Sequence, residues 1–357
     1  VAARLSAGAD LPADPADPAD PPNRPTRPTE GRRQMSMTPE QAAWFRDTFV
    51  RLVDNVDQAL MGKREVVGLV LSAMLAEGHV LLEDAPGTGK TSLAKALAAS
   101  VQGTSNRIQF TPDLLPSDVT GVTIYDQQNH KFEFHRGPVF ASIVLADEIN
   151  RASPKTQSAL LEVMEESRVT VDGVAHEVGR PFLVIATQNP IEQAGTYKLP
   201  EAQLDRFMVK TSIGYPSLAV AERILAGAVD RNPSASLRPV ITTKAVADMA
   251  DLAGTVHIDP AVARFSAQLV EATRADEGAR LGVSVRGSIS MMRIAKVYAA
   301  AQGRHYVVPD DIKALAVPVW AHRLVLDAEA EFSGVTAERI VQNALGAVEA
   351  PLARATA

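Results

Sequence analysis

The residues with the clearest chemical potential form one run, Asp84-Ala85-Pro86-Gly87-Thr88-Gly89-Lys90-Thr91. Glycines at 87 and 89 let backbone N–H groups turn inward around an anion. A helix starting at the end of the run would add its partial positive charge. Lys90 is long enough to reach the β- and γ-phosphates of a nucleotide, and the Thr91 hydroxyl is a ligand for Mg²⁺. Ser92 follows and closes the candidate binding stretch. The general pattern has a first glycine where Asp84 stands; that position shapes the loop and does not touch the metal. The competing reading is a chance glycine turn. An apolar run before it and a helical pattern after it favour a loop that holds ATP with Mg²⁺.

Hydrolysis needs more than a phosphate cradle. Ser142-Ile143-Val144-Leu145-Ala146-Asp147-Glu148 is an apolar run ending in adjacent acids. Asp147 fits the acid that steadies Mg²⁺, and Glu148 the base that orients and deprotonates the attacking water. A third apolar run, Phe182 to Thr187, ends in Gln188-Asn189-Pro190. Asn189 could hold the water against Glu148, or could be an ordinary turn asparagine before proline. Arg206, in Leu204-Asp205-Arg206-Phe207, could be an arginine finger for a neighbour's ATP or a solvated surface charge. Arg286, in Gly282-Val283-Ser284-Val285-Arg286-Gly287-Ser288, could reach across an interdomain cleft to the γ-phosphate. Spacing alone leaves both arginines open.

These residues require a scaffold of alternating strands and helices. The pattern predicts strands at 79–83, 107–110, 143–146 and 182–187, with helices at 92–101 and 155–166 between them. Short apolar strands alternating with helices imply an α/β fold: a parallel sheet covered on both faces. Two hairpins interrupt the alternation, 122–125 with 131–134 and 168–171 with 175–178; the second turns at Asp172-Gly173. Ahead of the sheet, Thr38-Pro39-Glu40 reads as a helix start, and Trp44, Phe45, Phe49, Leu52, Val53 and Val56 form its apolar stripe. A second helix is expected over 63–76. Beyond Tyr215-Pro216 strand signals cease and helices are expected at 218–228, 258–274, 288–301 and 309–316. The organisation expected is therefore a tail over 1–36, a nucleotide-binding core over 37–214 and a smaller all-α lid over 215–357.

Bulk properties narrow the function classes. Residues 1–36 carry the near-repeat Ala13-Asp14-Pro15-Ala16-Asp17-Pro18-Ala19-Asp20-Pro21 and cannot bury a core, so disorder is expected there. The chain begins with Val1, and Met35 or Met37 is a candidate alternative start. No cysteine is present, which excludes disulfides, thiolate metal sites and cysteine nucleophiles. No apolar run approaches the ~18 residues of a membrane span, and a cytoplasmic location is the default expectation. A net charge of −6 and the lack of an aromatic-basic cluster argue against a nucleic-acid motor.

With these motifs in place the chain resembles the AAA+ ATPases, and more closely their MoxR branch. The resemblance spans about residues 38–350 and is carried by Ala146-Asp147-Glu148-Ile149-Asn150-Arg151-Ala152, Arg107 to Asp118, and Leu199 to Phe207. It implies an AAA+ core with an all-α lid, Asn189 as sensor 1, Arg206 as a finger acting in trans and Arg286 as sensor 2. The first hairpin would be a helix-2 insert and the second a pre-sensor-1 hairpin. The family usually has Ala and Pro where Val283 and Val285 stand. It also implies hexameric rings and a chaperone-like job, often with a partner bearing a von Willebrand factor A domain. Two functions compete: an ATP-driven remodelling enzyme for a protein client, and a nucleotide-gated scaffold with slow hydrolysis. Retention of both Asp147 and Glu148 favours the first, because a switch that does not turn over has no use for a base.

Overall fold

A computed structural model describes residues 36–189, 196–226, 234 and 236–351, which fall in one compact unit. The tail expected over 1–36, except Ser36, and the alternative start at Met35 lie outside the described residues. In chain order the first half contains α1 (Pro39–Asp57), α2 (Arg64–Leu75), β1 (Val80–Glu83), α3 (Lys90–Ser100), β2 (Ser105–Gln109) and α4 (Pro116–Thr120). There follow β3 (Gly121–Asp126), β4 (Lys131–Arg136), β5 (Ile143–Asp147), α5 (Pro154–Glu166), β6 (Arg168–Val171), β7 (Val174–Glu177) and β8 (Leu183–Gln188). Then come α6 (Glu201–Leu204), β9 (Val209–Thr211), α7 (Leu218–Leu225), α8 (Thr243–Gly254), α9 (Pro260–Ala275) and β10 (Ala279–Leu281). The chain closes with α10 (Val285–Ala301), α11 (Pro309–Trp320), β11 (Val325–Leu326), α12 (Ala328–Phe332) and α13 (Ala337–Ala347).

The start of α1 follows from three side chains. The Thr38 hydroxyl accepts the Gln41 N–H at 3.2 Å, and the Gln41 side chain accepts the Thr38 N–H at 2.9 Å, a reciprocal capping box. Phe45, Phe49, Leu52, Val53 and Val56 are buried as their spacing predicts. Trp44 is not: it is 48% exposed, because one helical step turns it about 100° from Phe45 and off the buried stripe.

Five parallel strands form the sheet in the order β2-β5-β8-β1-β9. Alternate residues leave opposite faces, as the strand period requires. Val80 and Leu82 of β1 enter a core shared with Phe45, Leu71, Leu93 and Leu97, while Leu81 enters a second core with Leu160 and Leu161 of α5. Both faces are thus covered, which is why the inner strands read as continuous apolar runs. The edge strand β9 was not expected, being only three residues long with Lys210 at its centre.

Both expected hairpins form. β3 pairs β4 in antiparallel register from Gly121–Arg136 to Asp126–Lys131, and β6 pairs β7 across Asp172-Gly173. The Phe134 ring stacks on His176 with centroids 4.1 Å apart, joining one hairpin to the other. Beyond the sheet, helices form the lid, with Ile294, Leu315, Val319 and Trp320 buried among α8 to α11 and α13. The expectation that strands cease there needs one correction: β10 and β11 form a short antiparallel pair. Of the helix expected at 218–228, the part at 227–228 lies outside the described residues.

Candidate active site

The glycine-rich run leaves the carboxyl end of β1 and enters α3, so the loop lies at the strand-end crevice where parallel sheets bind ligands. Gly89 is the N-cap of α3 with φ +99°, a conformation L side chains resist, and an added Cβ would stand 2.7 Å from Leu60 Cδ1. Pro86, Gly87, Gly89, Lys90, Thr91 and Ser92 line a cavity of about 370 Å³, together with Arg107, Asp147, Glu148 and Asn189. Loop, acids and the residue after β8 therefore face one space.

The rest of the predicted binding run acts from behind. Asp84 is buried, and its carboxylate accepts the Ile213 N–H at 2.7 Å and the Gly214 N–H at 2.8 Å. Its side chain thus ties the loop to the segment after β9 and points away from the cavity that Lys90 and Thr91 line. Its carbonyl accepts from Lys90 Nζ at 3.2 Å. Thr88 is likewise buried and donates its hydroxyl to the Ala85 carbonyl at 3.3 Å, so these two residues stiffen the turn and do not line the cavity.

The two acids are set by β5 and β8. Asp147 accepts the Thr187 hydroxyl at 2.6 Å and Arg107 Nη2 at 2.6 Å. Glu148 takes a left-handed backbone, φ 56° and ψ 51°, rare for a residue with a side chain. Its N–H donates to the same Thr187 hydroxyl at 2.9 Å, which holds the turn in place. This bend brings consecutive carboxylates into one cavity, where an extended strand would send them to opposite faces. The Glu148 carboxylate accepts from Gln109 Nε2 at 2.8 Å and Arg151 Nη1 at 3.1 Å. Arg107, Gln109, Arg151 and Thr187 carry no assigned role in the sequence reading; Arg107 and Gln109 lie two apart on β2 and so share one face of the sheet, Thr187 lies near the end of β8, and Arg151 stands three residues after Glu148.

Among the described residues no group of three or more His, Cys, Asp and Glu could cage a metal. Thr91 and Asp147 share the P-loop cavity, a two-ligand donor set of the kind that holds Mg²⁺ together with nucleotide phosphates. The residues present thus fit a magnesium nucleotide.

Arg206 and Arg286 do not line this cavity. Both converge on Glu165 of α5: Arg286 Nη2 lies 2.5 Å from Oε1, and Arg206 Nε lies 3.1 Å from Oε2. They line a second cavity, of about 620 Å³, beside Gly78, His79 and Phe182. Those residues precede β1 and β8, so this cavity lies at the amino ends of the strands and the P-loop at their carboxyl ends. Arg286 is expected to reach a γ-phosphate, and here it faces the amino ends of the strands, away from the P-loop of its own chain. His79, buried in this region, accepts the Val184 N–H at Nδ1 (3.1 Å) and approaches the Met164 carbonyl through Nε2 (3.0 Å). Burial pushes its pKa down to about 4, so the ring is neutral.

Comparison with known proteins agrees with this layout. Residues 79–209 match the model for the ATPase family associated with various cellular activities (AAA), and residues 271–344 match that for the AAA lid domain. The chain is 48% identical over 304 residues to the uncharacterized protein YeaC of Bacillus subtilis, covering 85% of this chain and 95% of that one. It is 38% identical over 313 residues to the chaperone MoxR1 of Mycobacterium tuberculosis, covering 85% and 82%. A crystal structure of a protein from Cytophaga hutchinsonii, provisionally described as an ATPase, superposes with a TM-score of 0.81 at 36% identity, covering 88% of this chain and 98% of that one.

Proposed function

Since this chain belongs to the MoxR family of AAA+ ATPases, we propose that it hydrolyses ATP in a ring and uses the energy to remodel a protein client or complex. One observation carries the hydrolytic reading: Glu148 is bent into the P-loop cavity beside Asp147, Lys90 and Asn189. In this reading the loop N–H groups and Lys90 hold the phosphates. Thr91 and Asp147 would hold Mg²⁺, which when bound offsets charge on the β- and γ-phosphates. Glu148 takes the proton of the attacking water, and Asn189 orients that water. Gln109 and Arg151 keep the Glu148 carboxylate aimed.

The placement of Arg206 and Arg286 at the far edge of the sheet supports their use by a neighbour. A residue on one face serving a site on another is a head-to-tail contact, which closes only as a cyclic oligomer. A hexamer, the expected ring, fits this logic. The chaperone name of MoxR1 supports a protein client, and a von Willebrand factor A domain partner belongs to the same proposal. The exposed Val122, Ile124 and Phe132 of the first hairpin offer a client apolar contact.

The test is Glu148→Gln. Turnover should fall about 100-fold or more, the scale of general-base catalysis, while ATP binding survives. Wild-type turnover no greater than that of Lys90→Ala, with Mg²⁺ present, would favour the nucleotide-gated scaffold instead.

A further inference from the structure

We propose that the buried Arg323 and the half-buried Asp205 form a positioning unit that sets Arg206 and Arg286 as a pair for the neighbouring subunit. This rests on the reading of those two arginines as acting in trans. The Arg323 side chain is only 1% exposed. Its Nε donates to Asp205 Oδ1 at 2.9 Å. Nη2 donates to the Phe207 carbonyl at 2.7 Å and the Asp205 carbonyl at 3.2 Å, and Nη1 to the Met208 carbonyl at 3.2 Å and to the Val319 carbonyl. The carbonyls at 205, 207 and 208 surround Arg206 on both sides in sequence. One guanidinium thus fixes the backbone from which Arg206 projects.

Asp205 carries the same unit to Arg286. Its carboxylate accepts the Ser284 hydroxyl, 2.9 Å from Oδ1 and 3.0 Å from Oδ2. Ser284 is the N-cap of α10 and in turn accepts the Gly287 N–H at 2.9 Å. Arg286 sits in the first turn that this cap fixes, with Nη1 3.8 Å from Asp205 Oδ2. Gly287 leaves room for the arrangement: an added Cβ would stand 2.7 Å from Arg323 Cδ.

Stability alone does not account for such a unit. A buried ion pair gains little over well-packed apolar residues of the same volume, because both charges lose water. Burial does pull the Arg323 pKa down to about 10, against the opposing pull of Asp205. What the charge adds is geometry. A planar fork with five N–H donors can hold several carbonyls at once, and a lysine ammonium cannot reproduce that pattern.

The test is subunit mixing. In the reference ring, Lys90→Ala subunits supply intact arginines to Arg206→Ala subunits, whose P-loops are intact. Turnover should be regained. Adding Arg323→Lys to the Lys90→Ala donor should cut the regained turnover about 100-fold, the scale of a misplacement near 1 Å. Adding Arg323→Lys to the Arg206→Ala acceptor should leave it at the reference value. Asp205→Asn, which keeps the shape and drops the charge, should show the same one-sided loss and guards against a folding defect in the lysine variant. Equal loss in both arms with both variants, or no loss in the donor arm, overturns the inference. If the reference ring itself regains nothing, it is the trans reading that fails.

Discussion

Replacing Asp84 by glycine restores the residue of the general P-loop pattern, and the structure predicts that it does harm. The Asp84 carboxylate accepts two backbone N–H groups, Ile213 at 2.7 Å and Gly214 at 2.8 Å, in a buried setting. Glycine removes both acceptors. A buried N–H left unsatisfied costs about 1–3 kcal/mol. The freer backbone of glycine in the unfolded chain adds about 0.4–1 kcal/mol. The Gly214 N–H is only part-buried and water entering the vacated space recovers part of this, so the expected loss is about 2–4 kcal/mol. Asp84→Asn retains one acceptor and should lose about half as much. Urea unfolding followed by the fluorescence of Trp320, which is fully buried, reads the change directly. The loop should also hold nucleotide less well, since its entry is no longer tied to the segment after β9. Stability within about 1 kcal/mol of wild type, or above it, would refute the argument and return Asp84 to a mere variant of the glycine.

Two other outcomes follow from the same geometry. Gly89→Ala must place a side chain at φ +99° against Leu60, so ATP affinity should fall about tenfold for the ~1–2 kcal/mol of backbone strain, as measured by titration calorimetry. His79 has a folded pKa of about 4 against an ordinary 6.5, so below pH 6.5 the unfolded chain takes up a proton that the folded chain refuses. Its contribution is complete above pH 6.5 and is lost as pH falls to about 4, a change of about 3 kcal/mol. His79→Gln should lower stability at pH 7 and flatten the pH dependence between those values; an unchanged slope in urea unfolding across that window would exclude this role. His322, also buried and displaced downward by burial first and by Arg323 second, leaves a residual slope of the same sign.

Much of the core was legible because local chemistry dictates it. The glycine-lysine-threonine turn after an apolar run, the acids ending β5 and the helix start at Thr38 each rest on neighbours in sequence, and each appears where expected. The Trp44 assignment failed because apolar spacing alone does not say where a buried stripe ends. β9 and the β10–β11 pair were missed because strands of two or three residues carry almost no period.

Which residues meet across the chain is a matter of packing. A phosphate loop, a pair of acids and an alternating α/β scaffold are legible along the chain, since these are patterns within a few residues. The sequence could not tell that Asp84 binds backbone N–H groups 129 and 130 residues away, or that Arg107 and Gln109 hold the two acids. Nor could it tell that Arg206 and Arg286 share Glu165 at the edge opposite the loop. In a parallel sheet every strand has its amino end at one edge and its carboxyl end at the other. The side of the sheet that a distant arginine reaches is therefore set by packing, and spacing along the chain carries no record of it.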